Sequence, residues 1–261
     1  MNMNLKNKCF LPIKCNPNAS LRLICFPYAG GSASIYANWG KFLSDDIEII
    51  AAQPPGRSMR LGEDAHTEMA DIIDEFMESA ELFDDKPYIF FGHSLGSRMA
   101  FALALRIQSQ NLPLPQHIIA SGSCAPHLPF DREITHNLPP DEFKDKLEDL
   151  NGTPKEILQN QELMDILIPL LRADFKIAET YQSEKIAINC PMTILGGTED
   201  SGIPLEKLNA WGELSIFPVN ISIITGDHFF INTNTAVVIN RVSKVADTVL
   251  KHLNQRLKTT Y

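Results

Sequence analysis

Six short apolar runs recur along the chain, at residues 21–26, 47–52, 88–91, 118–120, 192–195 and 221–224. Most are dense in Ile, Leu or Phe, and they lack polar alternation. A strand with one face in water alternates apolar and polar residues. A run this short and unbroken fits a strand covered on both faces, the condition of a parallel sheet between helices. Helical periodicity fills the intervals. Met69, Ile72, Ile73, Phe76, Met77 and Ala80 recur at spacings of three and four. Residues 97–108 are apolar nearly all round, and 235–253 put Val238, Val242, Val245 and Val249 on one face. The alternation predicts an α/β chain with a mostly parallel sheet flanked by helices. Residues 1–16 carry no long apolar run and read as a short lead-in rather than a signal peptide.

One interval breaks the rhythm. About 70 residues separate Gly122 from Cys190, far more than an ordinary connection. Residues 142–150 and 155–181 have amphipathic helical patterns, and Asn151-Gly152-Thr153-Pro154 is a turn signal between them. The expectation is a helical insertion, residues 125–185, placed before the penultimate strand and covering one end of the sheet. The core would then be residues 1–124 and 186–261.

Composition narrows the function classes. Of 261 residues, 23 are Lys or Arg and 32 are Asp or Glu, a formal charge of −9 without any basic run. That disfavours nucleic acid and anionic membranes as partners. The five cysteines, Cys9, Cys15, Cys25, Cys124 and Cys190, are odd in number and form no CxxC pair. They read as free thiols in a reducing compartment, which points to the cytoplasm. No HExxH or Cys/His cluster with ligand spacing occurs, so no metal is expected.

Gly92-His93-Ser94-Leu95-Gly96 is a GxSxG pentapeptide lying between an expected strand and an expected helix. Strand, sharp turn and helix are what a nucleophile elbow requires, with Ser94 as nucleophile. A serine hydroxyl needs a base, and the base needs an orienting acid. His228 follows the last strand in a loop that reaches the carboxyl edge of the sheet, where such folds bind ligands. His252 falls inside the last helix and His136 inside the insertion. The acid belongs after the preceding strand, where Gly196-Gly197-Thr198-Glu199-Asp200 offers Glu199 or Asp200; loop length favours Asp200. Asp227, adjacent to His228, is poorly placed to serve it. An oxyanion hole needs two backbone donors. Leu95 N–H follows the nucleophile, and Ala29 N–H lies in the glycine-bearing loop Phe26-Pro27-Tyr28-Ala29-Gly30-Gly31-Ser32.

These segments, with Trp39, Pro55-Gly56-Arg57, Gly152-Thr153-Pro154, Leu170-Leu171-Arg172-Ala173-Asp174 and Gly226-Asp227-His228-Phe229-Phe230, resemble the type II thioesterases. Those are stand-alone α/β-hydrolases that accompany non-ribosomal peptide and polyketide synthases, and they are related to the medium-chain thioesterase of fatty acid synthase. The resemblance runs from about Leu21 to Leu253. It implies an α/β-hydrolase fold and a Ser94–His228–Asp200 triad, with Ala29 and Leu95 as oxyanion donors. It also implies hydrolysis of acyl thioesters on phosphopantetheinyl carrier proteins, an editing role. No bound cofactor would be needed, because the substrate arrives on the carrier's own phosphopantetheine arm. The insertion would be a lid, with Met164, Ile166, Leu167, Leu170 and Leu171 as candidates for an acyl tunnel. Carrier docking would use a local basic area, with Arg57, Arg60, Lys144, Lys146 and Lys155 as candidates, and the chain would act as a monomer. Rival readings are an oxyester-hydrolysing carboxylesterase or lipase, an acyltransferase, and a non-catalytic carrier-binding partner.

Overall fold

The computed structural model describes residues 8–150, 152 and 155–259. Seven strands form one sheet: β1 (Phe10–Lys14), β2 (Leu21–Phe26), β3 (Ile47–Ala52), β4 (Tyr88–His93), β5 (His117–Ser121), β6 (Met192–Gly197) and β7 (Asn220–Ile224). Their order is β1-β3-β2-β4-β5-β6-β7. Every neighbouring pair is parallel except β1–β3. All six apolar runs are strands. β1 was not expected, for residues 10–14 read as part of a lead-in. It is an antiparallel edge strand containing Pro12, which is exposed there, and its register slips between Pro12 and Lys14. Proline is tolerated at an edge because its missing N–H faces away from the ladder.

The unbroken runs follow from burial on both faces. Ile24, Phe26, Phe90, Ile118 and Ile194 pack to one side with helices α1 (Met69–Met77) and α2 (Leu95–Ser109). Leu23, Cys25, Ile49, Phe91 and Ile119, their chain neighbours, pack to the other with α8 (Thr235–Thr259). Each such side chain contributes roughly 1.5–3 kcal/mol by leaving water. The architecture is that of an α/β-hydrolase, as expected. Among the described residues no helix is long and apolar enough to cross a membrane. None of the five cysteines forms a disulfide, and four of them are buried.

Between β5 and β6 lie α3 (Pro140–Asp149), α4 (Lys155–Leu158) and α5 (Gln161–Thr180). The expected helix over 155–181 is interrupted because Asn160 caps α5, its side chain accepting the N–H of Leu163 at 3.1 Å. The turn expected at 151–154 lies largely outside the described residues. Phe143, Leu147, Leu158, Met164 and Leu171 form a small core of their own within this segment. Two short helices complete the chain, α6 (Leu205–Asn209) and α7 (Phe230–Thr233).

Candidate active site

The turn from β4 into α2 is forced by its glycines. A Cβ at Gly92 would overlap the carbonyl of Gly96, and one at Gly96 would overlap the carbonyl of Phe26. Between them Ser94 takes φ 54° and ψ −118°, a conformation L-residues rarely adopt. The strain is held by the Ser94 N–H donating to the Ser121 carbonyl at 2.7 Å. Ser97 Oγ accepts the N–H of Ser121 and donates to the Gly92 carbonyl at 2.8 Å. The hydroxyl of Ser94 is thereby lifted above the sheet edge, at the N-terminus of α2.

Two further loops meet it there. His228 Nε2 lies 2.9 Å from Ser94 Oγ, and His228 Nδ1 lies 2.6 Å from Asp200 Oδ2. An ionised Asp200 fixes the proton on Nδ1 and leaves Nε2 free to accept from the serine. The acid and base loops are tied directly, since Glu199 N–H donates to the Gly226 carbonyl at 2.9 Å. Glu199 itself is exposed, and Asp227 accepts the N–H of Phe229 at 2.8 Å. Of the three nearby carboxylates, the imidazole bonds Asp200. Asp200 keeps 6% side-chain exposure against 21% for His228, so the pair is shielded on the acid side and open towards the serine.

His93 was not singled out as a functional residue. It is completely buried, and its Nε2–H donates to the backbone carbonyl of His228 at 2.9 Å while Nδ1 accepts from Ser121 Oγ at 2.9 Å. Burial, with the neighbouring His228, holds its pKa well below the usual histidine range and keeps it neutral. The only sequence signal for this role is its place beside Ser94.

Ala29 and Leu95 line the same cavity as Ser94. The neighbouring amides of the Ala29 loop are engaged: Gly30 N–H donates to Asp174 Oδ2 at 2.7 Å and Gly31 N–H to Tyr28 O at 2.8 Å. The cavity has a volume of about 480 Å³ and runs from Ser94 beneath α5. Of the five tunnel candidates only Leu171 lines it; Leu147, Leu150, Phe175 and Ala178 do so as well. Ile166 points outward at 51% exposure, and Met164 is buried inside the helical segment.

The docking candidates need correction. Arg57 and Arg60 are buried, at 4% and 6% exposure. Arg57 is paired with Asp174, and Arg60 with Glu63 and Glu75. Both guanidiniums are consumed inside the molecule and cannot meet a partner. Lys146 is paired with Glu133 at 2.9 Å, while Lys155 is exposed and Lys144 half-buried. Among the described residues no group of three or more His, Cys, Asp or Glu is placed to hold a metal ion.

The thioesterase domain family model matches residues 21–246. The chain is 38% identical over 226 residues to the gramicidin S biosynthesis protein GrsT of Aneurinibacillus migulanus, covering 86% of this chain and 88% of that protein. It is 32% identical over 222 residues to the medium-chain S-acyl fatty acid synthase thioesterase of Rattus norvegicus, covering 83% of each. The crystal structure of ClbQ from the colibactin peptide and polyketide synthase pathway superimposes with a TM-score of 0.83 at 30% identity, over 88% of this chain and 98% of that one.

Proposed function

Because the chain belongs to the thioesterase domain family, close to the type II thioesterases of peptide and polyketide synthase pathways, we propose that it clears acyl groups from carrier proteins through an acyl-serine on Ser94. It is a hydrolase of thioesters. The observation that carries the triad assignment is the unbroken hydrogen-bonded line Asp200–His228–Ser94, at 2.6 and 2.9 Å, opening onto the cavity.

His228 Nε2 takes the proton of Ser94 as Oγ attacks the thioester carbonyl. The oxyanion forms between the amides of Ala29 and Leu95. The pantetheine thiol has a pKa of about 8.5, so it leaves readily, protonated by His228. Water then enters, gives its proton to His228 and attacks the acyl-serine; collapse returns the proton to Ser94 and frees the acid. No metal or bound cofactor is required by these steps. The segment α3–α5 acts as the lid over the acyl group, and the core is residues 1–124 and 186–261.

The biological role we infer is editing, the removal of stalled or wrong acyl groups from synthase carriers. Docking is weak and transient, with Lys144 and Lys155 the remaining basic candidates. The free thiols support action in the cytoplasm, and the chain would act as a monomer.

The test presents one acyl group on a phosphopantetheinyl carrier, on free pantetheine and as a simple oxyester. The carrier thioester should turn over fastest. Preference for the oxyester would replace the reading with a general esterase, and carrier binding without turnover would make the chain a partner rather than an enzyme.

A further inference from the structure

Four arginines are buried among the described residues: Arg22, Arg57, Arg60 and Arg98. Three of them hold carboxylates. Arg22 binds Glu48 and Asp85, Arg57 binds Asp174, and Arg60 binds Glu63 and Glu75. Arg98 differs. It is 6% exposed and lines the cavity beside Ser94. Its Nη1 donates to the Tyr181 carbonyl at 3.0 Å, and the Cys124 thiol is among its polar neighbours. No carboxylate among the described residues pairs with it. Another cation, Arg132, opposes its charge and lines the same cavity, with its guanidinium 5.2 Å over the Phe130 ring.

A buried cation without a counter-ion is costly, and a second cation beside it adds to the cost. Six acids line the cavity, Glu133, Asp149, Glu179, Glu199, Asp200 and Asp227, and none of them forms an ion pair with Arg98. Glu179 is taken up by Thr135 and His136, Glu133 by Lys146, and Asp200 by His228. Burial accordingly pulls the Arg98 pKa down from its ordinary value. An anion entering the cavity would complete the site, and a guanidinium is the side chain best shaped to hold a carboxylate with two bonds.

The location selects which part of a substrate could supply that anion. Arg98 stands in the first turn of α2, whose N-cap is Ser94, and both side chains line the same cavity. An acyl group carried on Ser94 would enter the cavity that Arg98 also lines. The arm's phosphate remains on the carrier side of the thioester, away from a side chain buried to this degree. We propose that Arg98 is a specificity-determining residue that binds a carboxylate on the acyl group, so that short dicarboxylic half-thioesters are preferred over neutral acyl groups of the same length. This rests on the thioesterase reading above.

The experiment compares succinyl and glutaryl thioesters with butyryl and valeryl thioesters, each on pantetheine and on phosphopantetheine, for the native chain and for Arg98→Met and Arg98→Lys. The native enzyme should favour the carboxyacyl member at least tenfold in kcat/KM. Arg98→Met should erase that ratio, mainly through KM, and Arg98→Lys should recover part of it. Thermal unfolding of each variant checks that the fold persists. A native preference for neutral chains, or a ratio indifferent to Arg98→Met, overturns the proposal. So does a loss confined to phosphopantetheine substrates whatever the acyl group, which would make the arm's phosphate the ligand. If no thioester of either kind is hydrolysed, it is the thioesterase reading that has failed.

Discussion

Asp174 of α5 and Arg57 of the loop after β3 form a two-pronged ion pair, at 2.8 and 2.9 Å, with 0% and 4% side-chain exposure. The same carboxylate accepts the Gly30 N–H, and Arg57 Nη1 also donates to the Gly31 carbonyl at 3.1 Å. The pair therefore clamps α5 to the loop carrying Ala29. Removing one partner strands a buried charge, at a cost of about 3–5 kcal/mol. Asp174→Leu and Arg57→Met should each lose stability on that order, and the double variant should lose less than the sum. At temperatures where the single variants stay folded, kcat should fall more than KM rises if Ala29 N–H serves as the proposed oxyanion donor, because its loop is then misplaced. Denaturant unfolding with steady-state kinetics checks both; additive losses would show that the pair does not act as a unit.

Asp200 matters for the tautomer of His228 rather than for charge alone. Asp200→Asn keeps the shape and presents an amide to Nδ1, so the ring can be held with its proton on Nε2, unable to accept from Ser94. A fall in kcat of about 10²–10⁴, with little change in KM, is expected from turnover of a small thioester.

Acid should weaken the fold through two histidines held neutral, the buried His93 and the half-buried His117. Burial lowers the His117 pKa to about 4 and holds His93 well below its ordinary range. The unfolded chain takes up both protons near pH 6.5, whereas the folded chain refuses them. Stability is thus full above about pH 6.5 and declines as pH falls towards 4, by roughly 2–3 kcal/mol for His117 alone. Urea midpoints at pH 7, 6 and 5 should fall in that order, and His117→Gln should flatten the trend.

The elbow glycines are irreplaceable for steric reasons. Gly92→Ala or Gly96→Ala drives a Cβ into backbone carbonyl oxygens, where no side chain can swing aside. Each should cost several kcal/mol or prevent folding. Wild-type melting temperature in either variant would contradict the close packing of β4, α2 and the Phe26 carbonyl.

Much of this was legible in the sequence because the signals are local. Tyr88–His93 is a strand bracketed by burial on both faces, and Ser94 lies between glycines that nothing larger could replace. Asp200 and His228 were placed by their positions after strand ends, a rule of topology. What escaped depends on distance along the chain. Arg57 looks like a surface cation until Asp174, 117 residues later, is folded onto it. Lys14 and Pro12 disguise β1, whose pairing with β3 supplies the order that its composition does not. Leu171, Phe175 and Ala178 line the cavity, but the α5 periodicity that includes them also includes Met164, which packs inside the small core of the α3–α5 segment.

The covalent intermediate is the most direct test of the mechanism. A carrier bearing one acyl group is mixed with excess enzyme, quenched in acid within the first turnover, and the enzyme is digested for mass analysis. The account predicts one acyl increment on the peptide containing Ser94, decaying as free acid appears, and no increment in Ser94→Ala. Hydrolysis persisting in Ser94→Ala, or an acyl increment on another residue, would contradict it.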